Sequence, residues 1–498
     1  MANTEFHPLN FYRQATKYEF LPFRFKRLKN DLVVLTNIVG QHIFLNDSDF
    51  ALFSQKKLSS LNSNYRRLKS LHFLYDSDSD IHTNILSSKL WTKKSFISGF
   101  TKLHIFVLSL RCNSSCSYCQ ASRQNVDAGS QYDMTIETAR KSVELMMKSP
   151  SPEITVEFQG GEPMLNFDAL KEIVLYSKEL NQKVGKQLSY VVCTNLSILS
   201  QEHLDFFKAH KVSISTSIDG PAELHDKNRA SKYPDAKHAV VERNIRRAQE
   251  ALGFSAVSAL MTTTRSSLKY SKEIVDEYIR LNLGSIFLRS LNPYGFAVKT
   301  EKAIGYSSQE FFKFYRDSLD YILHLNRQGT MFTEAFTALL ARKILTPWTI
   351  GFVDLQSPTG NGFAVTVYNF DGDVYASDES RMLAEMGDQT FRLGNVFEDT
   401  YEEIYFGDAM QLIASAGVAE CISGCSDCAY VPFCGADPIR HYATQKDVIG
   451  HRPTSSFCGK YQLIFDYLFE RLSKRDVVFE ETLWSWLRCC DRDDVILK

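Results

Sequence analysis

Six strand-like segments with helical patterns between them lie in series between about residues 100 and 330. No other feature limits the fold as tightly. Apolar, β-branched runs begin near His104, Ile154, Tyr190, Val212, Ser255 and Ser285. Between the first two, Ile136, Ala139, Val143, Met146 and Met147 fall on one helical face, which reads both methionines as core rather than cofactor contacts. Helical patterns recur over 168–180, 201–210, 236–251 and 268–281. Such a succession predicts an α/β fold, a parallel sheet with helices outside, open or curled into a partial barrel. Chemistry in these folds collects at the C-terminal ends of the strands.

A smaller region, 1–98, precedes this series. Leu32–Leu35 and Ile43–Leu45 flank Asn37, Gly40 and Gln41, as two strands around a short turn would. Asn46, Asp47, Ser48 and Asp49 then offer helix caps, and a second helix is expected around Tyr65–Phe73. The run from Asp76 to Asp80 lacks the glycine and glutamate spacing of a calcium loop and reads as a solvated loop. The last region, 331–498, holds seven of the eleven cysteines and a helical pattern over 461–473. With 498 residues, at about 150 per domain, two or three domains are expected: 1–98, 99–330 and 331–498.

Composition limits the partners. Lys+Arg number 57 against 58 Asp+Glu, so bulk charge gives no reason to expect nucleic acid or an anionic membrane. No run approaches the roughly 18 apolar residues that cross a bilayer. The opening MANTEFHPLN lacks the basic and apolar parts of a signal peptide. Eleven cysteines are an odd number for a disulfide framework and fit thiolate ligands in a reducing cytoplasm.

Cys112, Cys116 and Cys119 form C-x3-C-x2-C directly after the strand-like LHIFVLSLR. Three thiolates at a strand end can hold three corners of a [4Fe–4S] cluster and leave one iron open to a ligand. Spacing favours a metal without choosing iron over zinc. The next strand runs into Gln159, Gly160, Gly161, Glu162 and Pro163, where paired glycines allow close backbone approach and Glu162 can accept from an ammonium group.

C-x3-C-x-Y-C followed by GGEP resembles the radical S-adenosylmethionine superfamily over about 100–290. That resemblance implies a partial (β/α)6 barrel whose open iron chelates the methionine end of S-adenosylmethionine. By residue-to-residue carry-over, Cys112, Cys116 and Cys119 hold the cluster, Tyr118 lies near the adenine, and Gly160, Gly161 and Glu162 meet the methionine amino group. A later run, Ser215, Ser217, Asp219, Gly220, Pro221, His225, Asp226 and Arg229, is similar to one in related enzymes, where the serine and arginine (here Ser217 and Arg229) help hold the ribose and carboxylate. Asp219 reads equally as a cap. Thr194 and Asn195 end their strand at the same mouth, and Cys193 reads as a buried strand thiol. The implied chemistry is one-electron cleavage of the sulfonium to a 5′-deoxyadenosyl radical, with the barrel orienting the cofactor and excluding water. No protein acid or base is required for the hydrogen abstraction, and none is assigned.

Cys425-x2-Cys428-x5-Cys434 with Cys458 looks like half of a SPASM extension, the cysteine-rich addition of peptide-modifying members. Ser377 and Pro438 stand where further ligands would be, so one auxiliary [4Fe–4S] cluster is expected, with zinc as the alternative for these four thiols. Cys421 is expected to be spare, with replacement of one of these four as the alternative, and the adjacent Cys489 and Cys490 are left out. The missing ligands weigh toward a maturase of ribosomally made peptides rather than a sulfatase-maturing enzyme. Residues 1–98 resemble a small α+β winged-helix-like domain that recognises leader peptides, with a simple packing domain as the other reading. The YASDESRML segment and the N-terminal half are most like the radical maturase of His-Xaa-Ser peptide systems. The partners implied are a precursor peptide and an electron donor such as flavodoxin or ferredoxin. Two competing readings stay open here: a catalytically silent peptide-binding protein stapled by clusters or zinc, and a radical enzyme acting on a small molecule.

Overall fold

The computed structural model describes residues 17–76, 81–231 and 237–495. The opening decapeptide and Ser77–Asp80 lie outside them. Asp76, at the edge of the expected solvated run, is buried: its carboxylate accepts from Tyr65 Oη at 3.0 Å and from Lys69.

The N-terminal region forms a three-stranded antiparallel sheet, β1 (Phe23–Arg27), β2 (Leu32–Asn37) and β3 (His42–Asn46), in that spatial order. Helices α1 (Asp47–Ser54) and α2 (Ser63–Ser70) follow, with Asn46 capping α1 by accepting from Asp49 N. The two faces of β2 part company. Val33 and Leu35 join Ile43, Phe53, Tyr65 and Leu68 in a local core, whereas Val34 joins the main core. Strand alternation thus gives the small sheet its own interior and a second face that docks on the rest of the chain.

The main sheet has nine strands. In chain order β4 (Leu103–Ser109), β5 (Glu153–Gly160), β6 (Gln187–Cys193), β7 (Val212–Ser217), β8 (Val257–Thr262) and β9 (Leu288–Arg289) are joined by crossovers carrying α3 (Ile136–Met147), α4 (Phe167–Val184), α5 (Gln201–His210), α6 (His238–Leu252) and α7 (Ser271–Arg280). All six expected strands are present, and the last is split by a break after Ile286. Beyond residue 330, β10 (Val365–Tyr368), β11 (Asp373–Tyr375) and β12 (Arg392–Asn395) extend the same sheet, giving the order β9-β8-β7-β6-β5-β4-β10-β11-β12. Pairing is parallel from β9 to β10 and antiparallel at the last two steps. Strand β10 lies directly against β4, pairing Thr366 with His104.

Alternation along these strands sorts the residues. Ile154, Val156 and Phe158 of β5 are buried under the helices, while Glu157 and Gln159 face the opposite side. β7 repeats this, with Val212, Ile214 and Thr216 buried and Ser215 and Ser217 on the other face. Met146 and Met147 are buried in the main core, as their spacing predicts. Helices α8 (Pro438–Gln445) and α9 (Ser456–Ser473) complete the elements that matter for the site. Among the described residues no helix is long and apolar enough to cross a membrane.

Candidate active site

The C-terminal ends of β4 to β7 surround a cavity of about 250 Å³. β4 runs through Leu110 and Arg111 into the loop of Cys112, Cys116 and Cys119, and all three thiols line the cavity. The loop is held from several sides. Arg111 Nε donates to Asp133 Oδ1 at 2.9 Å, Asn113 Nδ2 to Ser197 Oγ at 2.8 Å, and Asn195 Nδ2 to Asn113 Oδ1 at 2.8 Å. Ser117 N donates to Asn228 O at 3.0 Å. Ser114 N points at Cys112 Sγ at 3.4 Å. Burial pushes the Cys112 thiol well up and Cys116 to about 11, so iron binding must displace their protons.

Gly160 and Gly161 line the same cavity and also let two strand ends meet. A Cβ on Gly160, whose φ is +136°, would lie 2.1 Å from Ser109 O; one on Gly161 would lie 2.4 Å from Arg111 O. The Gly161 and Glu162 N–H groups donate to those two oxygens at 2.7 and 2.8 Å. Glycine is required because backbone packs on backbone. Glu162, given a cofactor contact by the resemblance, does not line the cavity. Its carboxylate is fully buried and accepts from Thr194 Oγ1 (2.6 Å), Asn195 N (2.8 Å) and Met164 N (3.1 Å). Burial raises its pKa to about 7 against the pull of those donors.

Tyr118, Thr194, Asn195, Ser217 and Arg229 all line the cavity, and Asp219 lies behind them. Tyr118 Oη donates to Asp219 Oδ2 at 2.8 Å, and Arg229 pairs with Asp219 at 3.4 Å while lying over the Tyr118 ring. The aspartate therefore fixes two cavity residues. Cys193 differs from its reading as a buried strand thiol: it is half-buried, lines the cavity and donates to Glu157 Oε1 at 3.2 Å. Strand alternation turns it inward while Val192 goes to the core.

A second chamber of about 270 Å³ opens from the first, sharing Glu157, Gln159, Arg289, Ser290, Asn292 and Asp378. Asp354, Glu379 and Lys460 line its far part, and Tyr461 and Ile464 of α9 close it. Burial, reinforced by Asp354 and Asp378, pushes Glu379 up, and burial also raises Glu157. Lys460 is lowered to about 7 by burial and by Arg440. These charged walls are not legible in the sequence, because isolated polar residues carry no spacing signal.

Tyr461 also borders a third, largely apolar cavity lined by Cys425, Cys428, Cys434 and Cys458. Cys421 is exposed and lies outside it, as do Cys489 and Cys490. Burial raises Cys425 and Cys428 and pushes Cys434 to about 12. Donors surround the thiols: Tyr430 N at 3.4 Å from Cys428 Sγ, and Gln462 Nε2 at 3.9 Å from both Cys428 and Cys458. Arg452, buried beside Cys425, has no acceptor for its Nε. A buried cation and spare N–H donors suit an anionic cluster.

Among the described residues, His238, Glu242 and Glu277 are close enough to share one ion, but Arg280 already pairs with both carboxylates at 2.7 Å.

Residues 106–267 match the family model described as the Radical SAM superfamily. Fold and match together define a radical SAM enzyme, whose cofactors are a [4Fe–4S] cluster and S-adenosylmethionine; the cysteine-rich C-terminal region fits an auxiliary cluster. The chain is similar to the cysteine-type anaerobic sulfatase-maturating enzyme of Clostridium perfringens, 22% identical over 374 residues, covering 72% of this chain and 94% of that one. An uncharacterized protein of Methanocaldococcus jannaschii is 26% identical over 190 residues, 38% of this chain but only 62% of that protein. Two solved structures share the fold. The anSMEcpe enzyme with bound AdoMet and Cp18Cys peptide matches with a TM-score of 0.62 at 18% identity, covering 76% of this chain and 99% of that one. Streptococcus suis SuiB bound to its precursor peptide SuiA matches with 0.53 at 13%, covering 89% and 99%.

Proposed function

We propose that this chain is a radical SAM maturase that modifies a ribosomally made precursor peptide. Cys112, Cys116 and Cys119 hold the radical-generating cluster, and Cys425, Cys428, Cys434 and Cys458 hold an auxiliary one. When bound, the first cluster and S-adenosylmethionine supply a 5′-deoxyadenosyl radical. Tyr118, Gly160, Gly161, Ser217 and Arg229 line the cofactor's place, and Glu162 braces Thr194 and Asn195 from behind it.

The observation that carries the reading is the chamber of about 270 Å³ running from the radical cavity to Tyr461 at the other thiol group. A substrate residue placed there would lie between the two thiol groups with protein walls around it, which limits water at a reactive radical. Glu157, Asp354, Asp378 and Glu379 give the chamber an acidic wall, offset by Arg289 and Lys460. Carboxylates of this kind suit imidazole-bearing residues, which favours a His-Xaa-Ser-repeat peptide as substrate. The N-terminal sheet, winged-helix-like with its two helices, is the element that takes the leader, with a flavodoxin or ferredoxin as electron donor. Eleven unpaired cysteines are consistent with a reducing cytoplasm.

The test is anaerobic reconstitution with dithionite, following 5′-deoxyadenosine release and the mass of a co-expressed His-Xaa-Ser precursor. Release and a peptide mass change are expected, and both vanish in Cys116→Ala. No release from fully iron-loaded protein in the presence of the peptide would sink the mechanism; release with an unaltered peptide would sink the substrate.

A further inference from the structure

The auxiliary thiols are braced from the far end of the chain. One face of the β1–β2 pair rests on their loop: Arg24 and Thr36 stand opposite each other in register, and each donates to a carbonyl beside Cys428. Arg24 Nε reaches Ser426 O, and Thr36 Oγ1 reaches Ala429 O at 2.6 Å. Two residues on from Arg24, Lys26 projects from the same face of β1. Its Nζ donates to Gln462 Oε1 at 2.6 Å and pairs with Asp466 at 2.7 Å, both on α9, and lies 5.0 Å from the centre of the Tyr430 ring. Gln462 Nε2 in turn faces Cys428 Sγ and Cys458 Sγ at 3.9 Å each.

The chemistry of the amide makes this chain directional. An ammonium group has only donors, so Gln462 must turn its oxygen to Lys26 and its NH2 to the sulfurs. Without Lys26 the amide is free to rotate and present its oxygen, a repelling partner, to two thiolates. The Lys26 charge pulls the Cys428 thiol down, an effect that Asp466 offsets, and Arg452 is the cation facing Cys425 on the other side. What remains is orientation. N–H groups aimed at cluster sulfurs stabilise the more negative, reduced state and raise the reduction potential.

We propose that Lys26 is a positioning residue for the auxiliary cluster: by fixing the Gln462 amide with its N–H groups toward Cys428 and Cys458, the N-terminal sheet sets that cluster's reduction potential. This rests on those cysteines being cluster ligands, and the experiment separates the two claims.

The measurement is a redox titration followed by electron paramagnetic resonance on the full-length reconstituted protein. A Cys112→Ala, Cys116→Ala, Cys119→Ala background leaves the auxiliary signal alone. Lys26→Met is expected to shift the one-electron equilibrium toward the oxidised cluster by about tenfold, a fall of about 59 mV. Gln462→Leu should shift it the same way, and the double variant no further than Gln462→Leu alone. Lys26→Arg, which keeps a donor for Gln462 Oε1, should restore the wild-type potential. An intact cluster whose potential ignores Lys26→Met, or a Lys26→Arg that falls as far as Lys26→Met, overturns the role of Lys26. No cluster signal in the background protein removes the ligand set, and the proposal with it.

Discussion

Cys112, Cys116 and Cys119 leave a single loop at the end of one strand, whereas Cys425, Cys428 and Cys434 follow no strand and meet Cys458 on a helix. The first group is positioned by elements next to it in the sheet: Asp133, Asn195, Ser197 and the Gly160–Gly161 corner. The second takes donors from Arg452 and Gln462 nearby and is braced by Arg24, Lys26 and Thr36, some 400 residues away. Three thiols leave one iron of a [4Fe–4S] cluster open to a further ligand, whereas four thiols fill all its corners. One site is a product of local geometry, the other of docking between distant parts.

The largest effects should come from the thiols themselves. Cys116→Ala and Cys458→Ala are each expected to lose ~4 of ~8 irons, one cluster's worth. Only Cys116→Ala should abolish 5′-deoxyadenosine release in the absence of peptide, and Cys458→Ala should retain it. Equal loss in both, measured by iron content and product release, would break the division between the two sites. Next, the glycines distinguish rigid from yielding surroundings. Gly161→Ala drives a Cβ into Arg111 O, backbone against backbone, and should cost roughly 3 kcal/mol together with cofactor cleavage. Gly424→Ala, beside the auxiliary loop at φ +76°, meets only the Arg452 side chain at 2.9 Å and should cost about 1 kcal/mol. Chemical unfolding of the two variants side by side reads this difference.

The smallest effect concerns the seam where the two halves join. His104 on β4 is fully buried, with Nε2 donating to Thr101 O at 3.1 Å and Nδ1 accepting from Tyr368 of β10 at 3.0 Å. Burial lowers its pKa from 6.5 to about 3. The folded protein therefore refuses a proton that the unfolded chain accepts: stability is fully present above pH 6.5 and is lost as the pH falls toward 3. At pH 5 the loss is roughly 2 kcal/mol. Unfolding curves at pH 7.5 and pH 5 should show a drop larger by that amount in the wild type than in His104→Gln; equal drops would show that the seam does not govern acid sensitivity.

The sequence disclosed the strands well because each is a run of apolar and β-branched residues bounded by polar turns, and it disclosed the thiol spacings because both are local. It was silent on β10 to β12, whose three or four residues are too short to show a period. Glu162 sits in a strand-end motif and Asp219 reads equally as a cap; neither lines the cavity, and their carboxylates instead hold residues that do, Thr194 and Asn195 in one case and Tyr118 and Arg229 in the other. YVVC reads as a buried strand end because it is uniformly apolar, although strand alternation turns the Cys193 side chain toward Glu157. Lys26 and Gln462 left no trace, since nothing in a linear pattern marks residues that meet only after docking.

The place of β10 beside β4 has a consequence for how the protein is made. By the time residue 161 has been synthesised, all three thiols of the radical cavity and both glycines exist, yet β4 still has an open edge. Its neighbour, Val365–Tyr368, comes about 200 residues later, a delay of roughly 10–40 s at ordinary elongation rates. The radical loop is therefore fastened to a sheet whose other side is closed only by a strand made much later.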